Sequence, residues 1–271
     1  MKQINLSDYK IEIVTRSMNR KLYALSQATI PLPFPRVRLK NTTAHGYLYQ
    51  LLRRDADYII NIDEDAFVYN HSALLDLLTY CIANDIDLCG FPDGGVLPVR
   101  HCNPLVTNPF FNIINRKKIQ SAFSKQEIKK YKIHQPEFEK KTPRHLLRHE
   151  YSYQYYEPFE PFFIWISQNF NVLYLDGEEH SDGFSTILKN HQNQAFLLHT
   201  WYSRMYEKDE FHTKRINNII QECNRNALAN YEKSHNLRKE RFLQKIEHLI
   251  WFYFWKKYYV IVDFCSDKIK F

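Results

Sequence analysis

One stretch of the sequence limits the fold more than any other: Tyr58–Val68, which is YIINIDEDAFV. A short run of strand-forming residues ends in three consecutive acids, and an apolar run then resumes. Charged carboxylates beside a hydrophobic strand cost free energy unless a cation or hydrogen-bond donors compensate them. We therefore expect the acids to lie where the strand meets a ligand.

The segments around this stretch alternate between strand and helix patterns. Strands are predicted at Tyr9–Thr15, Val37–Leu39, Tyr58–Ile62, Asp87–Phe91, Val96–Val99, Asn171–Asp176 and Ala195–His199. Helices are predicted at Lys21–Ala28, Ala44–Arg54, Ser72–Ala83 with Ser72 as its N-cap, and Pro158–Asn169. This order predicts an α/β fold of the Rossmann type, in which helices flank a mainly parallel sheet. The polar residues 116–150 are predicted to form a solvated insert or an acceptor-binding loop.

Composition argues against several classes of protein. Only 6 of the 271 residues are Gly, and neither G-x-G-x-x-G nor the P-loop pattern occurs. The five cysteines show no C-x-x-C spacing, which disfavours zinc ribbons and disulfide frameworks and favours a reduced, intracellular setting. We expect neither a secretory signal nor a spanning helix, and hence a cytoplasmic location.

The position of the acids matters more than the D-x-D pattern itself. The chain has three such triplets, but only Asp63-Glu64-Asp65 follows an apolar strand. Ligands of α/β sheets bind outside the carboxyl ends of the strands. If side-chain alternation continues past Ile62, Asp63 and Asp65 point to one side and Glu64 to the other. Two such carboxylates suit Mg²⁺ or Mn²⁺ that carries a diphosphate.

YIINIDEDAFV, placed between two helices, resembles the DxD region of GT-A fold glycosyltransferases. Two other places carry the resemblance: YKIEIVTRS, placed like the opening strand and nucleotide-binding loop, and YEPFEPFFIWISQNFNVLYL at Tyr156–Leu175. The resemblance spans about Tyr9–Arg204. It implies a GT-A-like catalytic domain at 1–206 that uses a nucleotide-sugar donor, with Asp63 and Asp65 on the metal and Asp63 also on the donor.

The resemblance also implies which residues contact the substrates. Thr15 and Arg16 would bind the nucleotide. Glu160, or Glu157 as second choice, would be the base that deprotonates the acceptor hydroxyl. Many members have Glu-Asp where this chain has Glu160-Pro161, so a capping role at the helix N-terminus is the alternative for both glutamates.

A late histidine adds a metal ligand in many of these enzymes. His199, in FLLHTWYSR, matches that place, and His180, in LDGEEHSDG, is the rival. Arg204 would neutralise phosphate charge by a bidentate contact. A histidine beside apolar residues is just as often an ordinary core or edge residue, and that alternative stays open for His199.

The basic surplus of the chain lies at its C-terminus. Of a net charge of +7, Lys214–Phe271 contribute +6, from 12 Lys/Arg and 6 Asp/Glu. We predict a basic, aromatic extension at 207–271, helical to about Trp255. Residues 249–262 would touch a membrane surface at the inner face, pack on the body, or join a homodimer. No RNA-binding motif accompanies them, so a nucleic-acid partner is not expected.

The hypothesis is therefore a metal-dependent glycosyltransferase with a glycan or lipid-linked acceptor, of the bacterial cell-surface polysaccharide or lipopolysaccharide type. One alternative is a two-metal phosphodiesterase or nuclease that uses Asp63, Asp65, His180 and His199. The other is a membrane-associated scaffold without catalysis.

Overall fold

The computed structural model describes residues 4–259 and 261. Its strands are β1 (Ile11–Arg16), β2 (Arg36–Leu39), β3 (Tyr58–Ile62), β4 (Ala66–Val68), β5 (Leu88–Pro92), β6 (Thr107–Asn115), β7 (Val172–Tyr174), β8 (Gly177–Glu179), β9 (Thr186–Lys189) and β10 (Ala195–His199). Its helices are α1 (Arg20–Ala28), α2 (Gly46–Leu52), α3 (His71–Ala83), α4 (Arg116–Ala122), α5 (Lys125–Lys129), α6 (Glu160–Asn169), α7 (Glu210–Cys223), α8 (Ala227–Ser234) and α9 (Leu237–Ile250).

The main sheet has six strands in the order β2-β1-β3-β6-β5-β7. β1 pairs in parallel with β2 and β3, β5 pairs in parallel with β7, and β6 is antiparallel to both of its neighbours. The predicted α/β fold with a mainly parallel sheet is confirmed. The carboxyl ends of β1, β3, β5 and β7 consequently lie along one edge.

Alternate residues of each strand bury against helices on opposite faces of this sheet. Ile60 and Ile113 share one core with the apolar side of α3. Ile59 and Ile114 share the other with α2 and α6. The molecule is therefore built in three layers, and the nearly continuous apolar run of YIINI reflects burial on both sides.

A smaller antiparallel sheet in the order β4-β10-β9-β8 stands beside the first. Its strand β4 starts immediately after the acidic triplet, and His199 of β10 lies opposite Ala66 in the register. α1 and α7 close a third core over this sheet, through residues such as Leu22, Phe67 and Ile216. The register thus delivers the end of β10 to the acids at the end of β3.

Strand β6 is the main element that the sequence did not predict. It lies in the middle of the sheet, whereas the predicted strand Val96–Val99 is a turn region. The stretch TNPFFNIIN contains Pro109, and a proline cannot donate a hydrogen bond to a ladder. The structure tolerates it because the pairing with β5 shifts register between Gly90 and Pro92, beside the proline.

Two smaller predictions also need correction. The N-cap of α3 is Asn70, whose side-chain oxygen accepts from the backbone N–H of Ala73 at 3.2 Å, and Ser72 lies inside the helix. The insert 116–150 is folded: its short helices bury Ile128 and Phe138 in the same core as α6. Apolar residues spaced through a polar stretch were the signal for this packing.

Helix α9 packs on the body by one polar edge and leaves an apolar side exposed. Glu240 and Glu247 form ion pairs with Arg20, whereas Phe252, Tyr253 and Phe254, in the following turn, are each about 60–69% exposed. In the part of the chain that the structure describes, no helix combines the length and apolar character needed to cross a bilayer.

Candidate active site

The acidic triplet forms a tight turn at the carboxyl end of β3. The carbonyl of Asp63 accepts from the N–H of Ala66 at 3.2 Å, and the N–H of Asp63 donates to the carbonyl of Phe110 at 2.9 Å. The side-chain alternation of β3 therefore stops at Ile62, and the predicted continuation through Asp65 is wrong. The turn, rather than the strand, sets the direction of each carboxylate.

Glu64 contacts the loop that follows β1. One oxygen of its buried carboxylate accepts from the backbone N–H groups of Met18 and Asn19, at 2.9 and 2.7 Å. Burial, and then the charge of Asp63, raises the pKa of Glu64 to about 8. Glu64 thus ties the acidic turn to the Met18–Arg20 loop.

Asp65 is held by His199. The imidazole Nε2 lies 3.3 Å from a carboxylate oxygen of Asp65, and the ring stacks on Phe110 with centroids 4.2 Å apart. Burial by itself would raise the pKa of Asp65, but the neighbouring His199 and hydrogen bonds from His199 and Ser203 hold it below its usual range. His199 Nδ1 is buried with no hydrogen-bond partner among the described residues.

Asp63 lies between Asp65 and Arg16. Burial, and then the charge of Asp65, raises the pKa of Asp63 to about 6, while the charge of Arg16 acts in the opposite direction. Two carboxylates that disfavour each other's ionisation are stabilised by a cation. The electrostatics of this turn therefore match the chemistry of a divalent-cation site.

Arg16, Tyr47 and Asn61 form a polar group at the ends of β1 and β3 that sequence reasoning did not combine. The Arg16 guanidinium lies 5.7 Å from the ring centroid of Tyr47. Arg16 Nε, the Tyr47 hydroxyl and the side-chain oxygen of Asn61 are all buried without a hydrogen-bond partner among residues 4–259 and 261. Such atoms normally have hydrogen-bond partners, so the three atoms at the ends of β1 and β3 are suited to contact the polar groups of a ligand. The asparagine within YIINI was the available signal.

Thr15 and Arg204 lie differently from Arg16. Thr15 is fully buried, and its hydroxyl accepts from the side-chain amide of Gln27 in α1 at 3.1 Å. Arg204 is exposed in a short turn just after Ser203, and within the described chain it makes no hydrogen bond or ion pair. The structure therefore encloses Thr15, whereas Arg204 remains accessible near Asp65.

Glu160 stands at the first position of α6, fully buried. One carboxylate oxygen accepts from the N–H groups of Tyr156 and Glu157, at 3.1 and 2.9 Å, and the other has no partner in the described part of the protein. The pKa of Glu160 is raised to about 7. Burial is the largest cause and the charges of Asp93 and Glu157 act in the same direction, while the hydrogen bonds from the two amides act against them. Glu157 is partly exposed.

Asp93 and Arg100 connect the surroundings of Glu160 to the acidic turn. Asp93 directly follows β5 and is fully buried, with Arg100 Nη2 at 2.6 and 2.7 Å from its two oxygens. The Arg100 guanidinium lies 5.3 Å from the ring centroid of Trp201, whose ring centroid is 4.2 Å from that of His199. A continuous set of contacts therefore runs from Asp65 to Asp93 along the sheet edge. An acid directly after a predicted strand, in PDGG, was the signal for Asp93.

His180 belongs to a separate cluster. Its ring nitrogens lie 3.4 Å from Asp182 and 3.3 Å from Glu222, and Asp182 binds the buried Arg215 of α7 at 3.1 Å. Hydrogen bonds from Ser185, Phe184 and Arg215 outweigh burial and lower the pKa of Asp182 to about 2. This cluster fastens the β8–β9 turn to α7.

Replacing Asp182 with asparagine is expected to cost about 2 kcal/mol of folding free energy at pH 7, because Arg215 loses its counter-charge. The folded-state pKa of Asp182 is depressed, so its contribution is complete above pH ~4 and is lost as the pH falls towards about 2. Urea unfolding at pH 7 and at pH 2.5 checks this. An equal difference between wild type and Asp182→Asn at both pH values would contradict it.

The carboxylates of the acidic turn would supply only part of the coordination sphere that a metal ion requires. Within residues 4–259 and 261, no group of three or more His, Cys, Asp or Glu side chains has the arrangement of a metal site. Mg²⁺ is commonly held by one or two carboxylates together with substrate phosphates. Asp63 and Asp65 fit that kind of incomplete site, and they do not fit a metal bound by protein ligands alone.

Comparisons with known proteins give distant structural matches only. No protein-family model and no curated protein sequence matches the chain. The crystal structure of A197 from STIV is 10% identical, with a TM-score of 0.36, over 69% of this chain and 93% of that one. The mannosyltransferase PcManGT from Pyrobaculum calidifontis, in complex with GDP-Man and Mn²⁺, is 8% identical, with a TM-score of 0.34, over 92% of this chain and 83% of that one. Likenesses of this size support no conclusion about activity.

Proposed function

We propose that this protein is a metal-dependent glycosyltransferase that moves a sugar from a nucleotide-sugar donor to a glycan or lipid-linked acceptor. The observation that carries the proposal is the acidic turn at the carboxyl edge of a mainly parallel sheet, where the charge of the buried Asp65 helps to raise the pKa of the neighbouring Asp63, while His199 and Ser203 hold the pKa of Asp65 low. Residues 1–206 would form the catalytic part and 207–271 the extension.

Asp63 and Asp65 would hold Mn²⁺ or Mg²⁺, and His199 would fix the orientation of Asp65 or add a ligand. The metal would neutralise the charge that develops on the leaving nucleoside diphosphate. Arg16, with its unpartnered Nε beside the Tyr47 hydroxyl, is placed to contact the nucleotide, and the exposed Arg204 to contact a phosphate. Thr15 would act only through the packing of α1, because its hydroxyl is already bonded to Gln27.

Glu160 would take the proton from the acceptor hydroxyl at its free carboxylate oxygen, with Glu157 as the second candidate. A general base works best when its pKa lies near the operating pH, and the pKa of Glu160 is about 7. The amides of Tyr156 and Glu157 would hold the carboxylate in place while the other oxygen reacts.

The alternative phosphodiesterase or nuclease would need several acids and histidines around two metals. His180 is engaged by Asp182 and Glu222, away from Asp63 and Asp65. Nothing about the residues near the acidic turn favours that alternative over sugar transfer.

A screen of nucleotide sugars, read out as release of nucleoside diphosphate with Mn²⁺ and with chelator, tests the proposed function. Release from at least one donor that depends on added acceptor and on metal is the expected result. Release that is unaffected by chelation would rule out the metal-dependent mechanism.

The exposed side of α9 and of the residues that follow it is suited to an anionic lipid surface. The two acids of Leu237–Ile261, Glu240 and Glu247, both face cations of the body. Apart from His248, the exposed residues that the structure describes there are apolar or basic: Leu237, Phe242, Leu249, Ile250, Phe252, Tyr253, Phe254, Tyr258 and Ile261, with Arg238, Lys239, Arg241, Lys245, Lys256 and Lys257. This distribution is typical of interfacial helices, and a homodimer contact is the alternative.

The double variant Lys256→Glu/Lys257→Glu is expected to weaken binding to vesicles containing anionic lipid by at least tenfold, since each lysine contributes about 1 kcal/mol near such a surface. Flotation of the full chain with phosphatidylserine vesicles measures it, and zwitterionic vesicles are the control. Equal flotation of variant and wild type, together with a concentration-dependent dimer, would favour the homodimer instead.

A further inference from the structure

The Met18–Arg20 loop, between β1 and α1, is held from two sides. From the sheet edge, Glu64 accepts hydrogen bonds from the N–H groups of Met18 and Asn19. From the opposite side, the side-chain amide of Gln244 in α9 donates to the carbonyl of Met18 at 2.7 Å and accepts from the N–H of Arg20 at 2.6 Å. Gln244 therefore pairs with this backbone as a neighbouring strand would.

The residues around Gln244 reinforce the same contact. The carboxylate of Glu247 lies 2.8 Å from Arg20, 3.1 Å from Arg38 and 3.2 Å from Lys40. Burial by itself would raise the pKa of Glu247, but the hydrogen bond from Arg20 and the charges of Arg38 and Lys40 hold it below its usual range. Arg38 in turn donates through Nε to the Ser17 hydroxyl at 2.9 Å, directly before the loop.

These contacts connect α9 directly to the acidic turn. Met18 has its N–H on Glu64 and its carbonyl on Gln244. Glu64 stands between Asp63 and Asp65 in the turn, so a shift of the loop changes the position of both aspartates. Arg16 lies two residues before Met18 in the chain. The loop therefore lies between α9 on one side and, on the other, Arg16 and the acidic turn, which are the proposed nucleotide and metal contacts.

We propose that Gln244 is a positioning residue for the donor site: α9 holds the Met18–Arg20 loop so that Glu64, Asp63 and Asp65 keep the arrangement that binds a metal–nucleoside diphosphate. This inference rests on the proposed function. It assigns to the C-terminal helix a role in donor binding that is separate from any contact with a membrane, because the two functions use opposite sides of the helix.

Gln244→Ala removes both hydrogen bonds to the loop backbone, together with the contact to His248 Nε2 at 2.7 Å, and should weaken binding of UDP or GDP in the presence of Mn²⁺ by about tenfold. Gln244→Glu keeps the acceptor for Arg20 and loses the donor to Met18, so it should recover part of the affinity. Glu240→Gln is the matched control, because Glu240 binds the Arg20 side chain at 2.9 Å but not the loop backbone. The nucleotide affinity of the Glu240→Gln variant should stay within twofold of wild type.

Isothermal titration calorimetry on the full chain gives the affinities, and amide hydrogen exchange gives a second readout. Gln244→Ala should accelerate exchange at residues 17–20 and 63–65, while its melting temperature stays close to that of Glu240→Gln. If Gln244→Ala binds nucleotide as wild type does, the inference is overturned and the proposed function stands. If wild type binds neither UDP nor GDP with Mn²⁺, the proposed function fails, and this inference fails with it.

Discussion

Glu160→Gln is expected to lower kcat by 10²–10⁴-fold, the usual contribution of a general base. Glutamine keeps a carbonyl oxygen for the amides of Tyr156 and Glu157 but cannot accept the proton of the acceptor hydroxyl. The base must be ionised to act, so kcat of the wild type should rise with pH through about 7. That limb should be missing in the variant.

Stability separates this catalytic effect from a folding defect. The pKa of Glu160 is raised in the folded state, so ionisation of Glu160 destabilises the fold as the pH rises from about 4.5 towards 7. Glu160→Gln removes that penalty and should be at least as stable as wild type at pH 8. Glu157→Gln is the matched variant. If kcat of Glu157→Gln no longer rises with pH through about 7, while kcat of Glu160→Gln still does, Glu157 is the base and Glu160 only caps α6.

Asp65→Asn is expected to reduce metal-dependent nucleotide binding by about 100-fold or more, and Asp63→Asn to have a similar effect. Each change removes a charged oxygen ligand from a site in which the protein supplies only two. Asp65→Asn also removes the charge that faces His199. Both variants should lose sugar transfer accordingly, because the leaving diphosphate would no longer be neutralised.

Asp55→Asn is the matched control, since it changes another D-x-D triplet of the same chain. Asp55 is exposed and, among the residues that the structure describes, it pairs with Lys10 alone, at 3.1 Å, before β3 begins. It should leave nucleotide binding unchanged. An equal loss in Asp55→Asn and Asp65→Asn would mean that the effect comes from net charge, and the metal assignment would fail.

Strand β3 and the acids at its end could be predicted from the sequence because local signals agree there. YIINI has the pattern of a strand buried on both faces, and its boundaries are the predicted ones. The same holds for β10, predicted and observed at Ala195–His199. Hydrophobic pattern and strand propensity both depend on residues that are neighbours in the chain, so both strands can be predicted from a single sequence.

The geometry of the site could not be predicted in the same way, because it depends on pairing between distant segments. His199 meets Asp65 through the register of β10 against β4, which no local pattern encodes. Glu64 meets the Met18–Arg20 loop, and Gln244 reaches it from more than two hundred residues away in the chain. Strand β6 was not predicted, and it contains Pro109, which lies where the pairing of β6 with β5 shifts register.

The central claim is that Asp63 and Asp65 hold a metal that carries a nucleoside diphosphate. Calorimetric titration of UDP and of GDP into the full chain, with Mn²⁺ and with a chelator, tests it most directly. We predict that at least one of the two nucleotides binds only when Mn²⁺ is present, and that Asp65→Asn weakens this binding by about 100-fold or more. Binding that is equally tight with Mn²⁺ and with the chelator, or equally tight in wild type and Asp65→Asn, would contradict the claim.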